Sequence, residues 1–365
     1  MSHLYFFILL VLLGSWPATG AAADFQPALP GRHFKFPADH AAHPDFKTEW
    51  WYYTGHLQSA EGEHFGYQLT FFRFGLTKPE KPARSAWSLH TLYFAHLGLT
   101  DLNRHTFIFR EKAGRGALGL SGVARTRYHV WIDNWQAELT DQNHHLQAQD
   151  QEISLDLFLV PEKPPVIHGK EGISQKAAGT GFASHYYSLT RLATQGQLTY
   201  KGRTRPVHGQ SWMDHEFSSS QLADYQVGWD WFSLQLQDGR EIMLYLLRRR
   251  DGSPDPNSSG TLIDSQGRSQ HLHLADFQVK PTSTWKSPHS GATYPSGWQV
   301  TIPAAGYTLE LTPTVADQEL QTHASTQIIY WEGSVSIQGK KNGLPVAGRG
   351  YVELTGYATS LGGKF

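Results

Sequence analysis

The sequence predicts an all-β protein built as two tandem β-units, and three observations carry that expectation. Aromatic residues make up 13% of the 365 positions, with 12 Trp and 35 Gly, a mixture suited to short pleated strands and tight turns. Apolar runs are of strand length and separated by turn residues, and no long helical periodicity is present. Two Trp-rich hairpins also line up. Trp50 matches Trp229, Tyr52 matches Trp231, Tyr53 matches Phe232 and, past a two-residue gap, Leu69 matches Leu246 and Arg73 matches Arg250. The match is either a duplicated domain or a coincidence between amphipathic hairpins. A duplication places the first unit at 46–190 and the second at 191–365.

Taken in order, the chain begins with a continuous apolar run from Tyr5 to Leu13, then Trp16–Pro17 and the small residues Ala18 to Ala23. This is the shape of a cleavable secretory signal over 1–23, with the mature chain starting near Asp24; an uncleaved anchor is the alternative. The run is too short for an ordinary membrane span. The expected location is periplasmic or secreted. Residues 24–45 are Pro-, Gly- and Ala-rich and read as an extension that wraps a surface. Glu49 to Leu57, a turn at Ala60–Glu63 and Phe65 to Phe74 form the first hairpin. Strands follow at Ser88–Leu99, Thr106–Arg110, Tyr128–Trp135, Gln136–Thr140, His144–Ala148 and Glu152–Val160, and Pro161–Gly181 reads as a long loop. Late strands are expected at His271–Val279, Gly297–Ile302, Tyr307–Thr312, Gln327–Gln338 and Gly348–Thr359.

Charge narrows the partners. The formal net charge is −1, which gives no electrostatic footprint for nucleic acid. There is no Cys, so disulfides and thiol chemistry are excluded. The expected partner is a hydrophobic small molecule, and a membrane-associated transport partner is compatible with export. No cofactor is called for.

The densest group of ionisable side chains is Val207 to Phe217. On a strand, His208, Gln210, Trp212, Asp214 and Glu216 share one face, and Ser211, Met213, His215 and Phe217 share the other. Two carboxyls beside an indole are costly to bury unless paired or used. A barrel-edge strand with its polar face in water is the plain alternative. Asp214, Glu216, His215 and His208 are therefore the catalytic candidates. Trp229 and Trp231 add indole surface nearby. Tyr330 with Glu332, and Tyr351 with Glu353, share faces on the last two strands. His96 reads as a buried, hydrogen-bonded His and secondarily as a ligand contact.

These motifs resemble a known family. Glu49–Trp50–Trp51–Tyr52, Ser211 to Phe217, Tyr330 to Gly333 and Gly350 to Tyr357 are similar to the AttH/CrtC-type lipocalin-like family of predicted secreted hydrolases, to which carotenoid 1,2-hydratases are distantly related. The resemblance runs from about Phe46 to the C-terminus. It implies two lipocalin-like (calycin) β-barrel or sandwich domains in tandem with an apolar cavity. Glu49, Trp50, Tyr52, His96, Trp212, Trp229, Trp231, Tyr330, Glu332, Tyr351 and Glu353 are the expected ligand-binding residues. His215 departs from the Arg common at that place in the family, so Asp214 and Glu216 rank above it.

Three functions are consistent with these residues. The first is a carrier of a fatty acid, isoprenoid or other lipid, held in a barrel mouth with few polar anchors. The second is a hydratase or lyase acting on an isoprenoid or polyene, with Asp214 as acid, Glu216 or His208 as base, and indole faces stabilising the cation. A secreted hydrolase ranks lower, because no Gly-x-Ser-x-Gly elbow is present. A metal site is not expected, because His215 points away from Asp214 and Glu216, although 20 His supply ligands in principle.

Overall fold

The computed structural model describes residues 25–78, 89–220 and 222–362. The expected leader over 1–23 lies outside them. Among the described residues helix is limited to three short 3-10 turns, at Ala38–His40, Leu274–Asp276 and Pro303–Ala305. The rest is antiparallel sheet and its connections, as the alternating patterns require.

The first sheet is a nearly closed barrel. Its strands neighbour one another in the order Thr106–Arg115, Thr91–Asp101, His64–Gly75, Thr48–Ser59, Arg203–Ser220, Ala183–Tyr200, Ile153–Pro161 and onward to Ser121–Val123. The second sheet repeats this plan: Ser269–His273, Ser259–Ile263, Glu241–Arg249, Gln226–Leu236, Leu344–Leu354, Ile329–Lys341, Tyr307–Pro313 and onward. In both, the opening strand of the unit lies between its hairpin partner and the unit's closing strand. A shared order of this length supports duplication over coincidence.

Register refines the match. Tyr52 lies opposite Thr70 and Asp214, while Trp231 lies opposite Tyr245 and Glu353. The counterpart of Leu69 is thus Leu244, two residues from the Leu246 that the sequence alignment gives, because the second hairpin is shorter. The boundary also differs. Position 190/191 falls inside the Ala183–Tyr200 strand, and the chain passes to the second sheet between Ser220 and Gln226. A register shift between Leu189 and Leu192 breaks the alternation there, which makes one long strand read as two pieces.

Alternation sorts the aromatic residues. Trp51, Tyr53 and Leu57 point into the first barrel and pack with Tyr67, Leu69, Tyr128 and Trp135, so its interior is filled. Phe232, Leu234, Trp298, Trp331 and Val352 fill the second. The outward faces are not solvated. Tyr52, Tyr186 and Trp212 of the first unit pack against Trp231, Met243, Tyr245 and Tyr351 of the second, each side chain contributing about 1.5–3 kcal/mol of burial. Lys163 and Arg191 of the first unit both bind the buried Glu241 carboxylate of the second at 2.6 Å.

Candidate functional site

Between these outward faces lies a cleft with about 100 Å³ of free space, whose walls include Trp50, Tyr52, Phe72, Trp229, Trp231, Tyr245 and Leu247. The cavity is therefore interunit, whereas the sequence led us to expect a barrel mouth. Trp50 and Trp229, paired by the repeat, both line it, and their neighbours Tyr52 and Trp231 touch edge to face at 5.1 Å. The duplication thus builds one site from two equivalent walls.

Four carboxyls enter this cleft: Asp214, Glu216, Glu332 and Glu353. Asp214 and Glu353 occupy equivalent positions on the two closing strands, opposite Tyr52 and Trp231. Asp214 accepts the Trp212 indole N–H at 2.6 Å and the Ser188 hydroxyl on Oδ1, and the Tyr186 hydroxyl at 2.6 Å on Oδ2. Tyr186 in turn accepts the Trp231 indole N–H at 3.0 Å. Burial nevertheless raises the Asp214 pKa to about 7; the three donors oppose the rise and the Glu216 charge adds to it. Glu353 is likewise raised by burial to about 7, although it accepts the Trp229 indole N–H at 2.7 Å. Glu332 is pushed well above the carboxylate range by burial and then by Glu353. It accepts the Tyr52 hydroxyl on Oε1, and its buried Oε2 has no partner among the described residues.

Glu216 is held differently. Lys176 lies 2.9 Å from it, and the ammonium sits 4.1 Å from the centre of the Tyr245 ring. Burial works against the ammonium, but the Glu216 carboxylate offsets it and the Lys176 pKa rises. His96 meets the cleft through Tyr330: its Nδ1 lies 2.8 Å from the Tyr330 hydroxyl, and burial lowers its pKa to about 3, so the ring is neutral.

The structure brings together Asp214, Glu216, Trp50, Tyr52, His96, Trp229, Trp231, Tyr330, Glu332 and Glu353 around the cleft. Trp212 stands behind Asp214 as its donor, and Tyr351 is buried beside the His56 ring, outside the lining. Three candidates lie elsewhere. His208 is exposed in a separate groove; six residues from Asp214, it is about 20 Å along the strand. His215 points into the first barrel, stacked 4.9 Å from Trp51. Glu49 is on that same inner side, fully buried, where its carboxylate meets Arg73 at 2.9 Å, His215 at 2.9 Å and His43 at 2.8 Å. Ligand atoms of His43, Glu49 and His215 lie within 4.8 Å of one another, a spacing a metal ion would suit. The Arg73 guanidinium already supplies positive charge to that carboxylate, which opposes a cation there.

Lys176, Tyr186, Ser188 and Tyr245 were not among the sequence candidates. Alternation along Ser184–Leu189 does put Tyr186 and Ser188 on one face, but only the register, Ser188 opposite Asp214, shows what that face meets. Lys176 comes from the aperiodic 161–181 segment and gave no signal.

The raised carboxyls have a measurable consequence. Unfolded Asp and Glu titrate near ~4, so the folded protein binds protons more tightly at Asp214 and Glu353 between about pH 4 and 7. Stability from these groups is fully present at acid pH, falls as pH rises to about 7, and is flat above. Melting temperature should decline between about pH 5 and 7, and the Asp214→Asn/Glu353→Gln double variant should flatten that decline. Equal slopes in both proteins would exclude these groups as its source.

Paired outer faces that enclose an acidic, aromatic cleft define a two-unit lipocalin-like β-protein. The sequence profile of the AttH-like family matches residues 27–357, and the chain belongs to that family. A crystal structure of a Nitrosomonas europaea protein assigned to AttH is similar, with TM-score 0.82 and 33% identity over 91% of this chain and 99% of that one. Kievitone hydratase from Nectria haematococca shares the fold, with TM-score 0.69 and 16% identity over 93% of this chain and 97% of its own. CghA shares it with TM-score 0.56 and 12% identity over 93% and 97%. No curated protein matches the chain.

Proposed function

We propose that this protein catalyses proton-initiated addition or elimination of water on a neutral, unsaturated, largely apolar small molecule held in the interunit cleft. One observation carries the reading. Four carboxyls enter an aromatic-walled cleft whose lining includes a single ammonium, and burial drives three of them toward the protonated form. Ligand binding alone does not call for two carboxyls poised near neutrality on facing walls, whereas proton transfer does. Asp214 and Glu353, with pKa values near neutrality, are suited to exchange protons. Glu332, which burial and the neighbouring Glu353 push toward the protonated form, is suited to donate a hydrogen bond to a ligand oxygen. The faces of Trp50, Trp229 and Trp231 would stabilise a carbocation. The hydratase name of one fold relative points the same way.

The same electrostatics narrow the ligand. A fatty-acid carboxylate would enter a buried cleft that already disfavours charge and whose ammonium is engaged by Glu216, so a neutral isoprenoid-like or prenylated molecule fits better than the fatty acid that a barrel mouth would accept. A cavity of about 100 Å³ is well below the ~300 Å³ or more of ordinary ligand pockets, so the cleft takes the reacting end of such a ligand or widens around it.

A binding-only protein would use the same aromatic walls, and the product separates the two readings. The protein is best taken from the periplasmic fraction of its host, where export predicts an intact mass for a chain starting near Asp24. Incubated with neutral prenylated and isoprenoid alkenes in heavy-oxygen water, it should yield products carrying one labelled oxygen. Alkenes bound and recovered without label would establish the carrier instead.

A further inference from the structure

A line of four hydrogen-bonded side chains crosses from the protein surface into the cleft and passes three times between the units. Glu111, partly exposed on the Thr106–Arg115 strand of the first unit, accepts the Ala324 backbone N–H at 3.1 Å and the Ser325 hydroxyl of the second. Ser325 Oγ lies 2.9 Å from Nε2 of His96, which is back on the first unit. His96 Nδ1 lies 2.8 Å from the hydroxyl of Tyr330, which is on the second unit and lines the cleft. His96 is 1% exposed and Tyr330 4%, so water does not replace these partners freely.

The donors and acceptors along this line run one way. The Ser325 hydroxyl spends its only proton on Glu111, so its oxygen must accept from His96. His96 therefore carries its proton on Nε2, and its bare Nδ1 must accept from Tyr330. Tyr330 thus turns its O–H away toward His96 and presents lone pairs to the cleft. A phenol placed so accepts a proton on one side while releasing its own on the other.

We propose that Tyr330 is the base of the cleft and that His96, Ser325 and Glu111 form the relay joining it to solvent. This inference rests on the proton-transfer reading and assigns its base side. As water adds to the ligand, its O–H bond breaks and the proton joins the Tyr330 oxygen, while the Tyr330 proton moves to His96 Nδ1. In the same movement His96 gives its Nε2 proton to Ser325, so the ring stays neutral, and the Ser325 hydroxyl proton passes to the Glu111 carboxylate and on to bulk water. No oxidant or other co-reactant is needed. Tyr330 touches the reacting atoms; His96, Ser325 and Glu111 act through it.

Two measurements test the relay without a known substrate. Nitrogen NMR of His-labelled protein should show His96 as the Nε2–H tautomer, and the Nδ1–H tautomer would overturn the proposal, because Tyr330 would then be an acceptor. Methanesulfonyl fluoride supplies the second. Attack by an activated phenol forms the O–S bond, breaks S–F and leaves the phenol proton on His96. Labelling of Tyr330 relative to the exposed Tyr225 should fall about tenfold or more in Ser325→Ala and in Glu111→Gln, with both variants folded by far-ultraviolet circular dichroism. An unlabelled Tyr330, or a ratio indifferent to both variants, would overturn the relay. A positive result without hydration of any alkene leaves the relay standing and the hydratase reading refuted. Hydration with an indifferent ratio does the reverse.

Discussion

Asp214→Asn should leave the fold and ligand affinity nearly intact and cut turnover by about a hundredfold or more. The amide reproduces the shape of a protonated carboxyl but has no proton to deliver. Its oxygen can still accept from Trp212 and Ser188, the two donors that Oδ1 serves. The cost falls at Oδ2, where the new NH₂ faces the Tyr186 hydroxyl, itself already accepting from Trp231. Tyr186 must then turn, at about 1 kcal/mol of stability. Glu353→Gln is the companion on the other wall, and it should also lower turnover while the ligand stays bound. Single-turnover measurements separate chemistry from release. Equal product from wild type and Asp214→Asn would remove Asp214 from the reaction, and a matched loss of affinity would make it a ligand anchor instead.

The features that were legible in the sequence are those fixed by local alternation. Trp50 and Tyr52 separate from Trp51 and Tyr53, and Asp214 from His215, by the two-residue period alone, and the structure follows both divisions. The same rule separates Glu49 from Trp50, so membership of one motif does not bring both side chains to the cleft. His208 obeys the alternation but lies too far along an 18-residue strand to reach the carboxyls. What one strand's pattern cannot express is the partner of its outward face. The aromatic side of Thr48–Ser59 reads equally well as a barrel interior or as an interface, and only the second unit's matching face, with Trp231 against Tyr52, decides it. Lys176 depends on a still more distant relation. It reaches Glu216 from an irregular loop with no period to read. The relay of Glu111, Ser325, His96 and Tyr330 is beyond sequence reasoning for the same reason, since each bond joins residues of different units.

Glu49→Gln should destabilise the protein by about 3–5 kcal/mol without altering the cleft chemistry. Glu49 is fully buried and Arg73 is 3% exposed, and their contact at 2.9 Å is the guanidinium's one carboxylate partner among the described residues. Arg73 would keep the bonds from its Nη2 to the carbonyls of His43 and Phe46, at 2.9 and 2.8 Å, while its Nε–H faces an amide in place of the carboxylate and its charge is left uncompensated. Those carbonyls belong to the 24–45 extension and its junction with the first strand, and Glu49 also accepts the His43 backbone N–H at 2.9 Å. Loss of the carboxylate therefore loosens the extension first, and limited proteolysis should cut there before the barrels open. The pH dependence has a definite sign. Burial alone would raise the Glu49 pKa, but Arg73, His215 and His43 together hold it well below the usual range. Its stabilisation is present above the unfolded value near ~4.3 and is lost as pH falls toward the folded one, so wild type should lose stability below about pH 4 more steeply than Glu49→Gln. A double variant, Glu49→Gln with Arg73→Met, should recover part of the loss by removing the stranded charge. A single variant within about 1 kcal/mol of wild type, or a double variant no better than the single, would show that this ion pair does not hold the extension to the barrel.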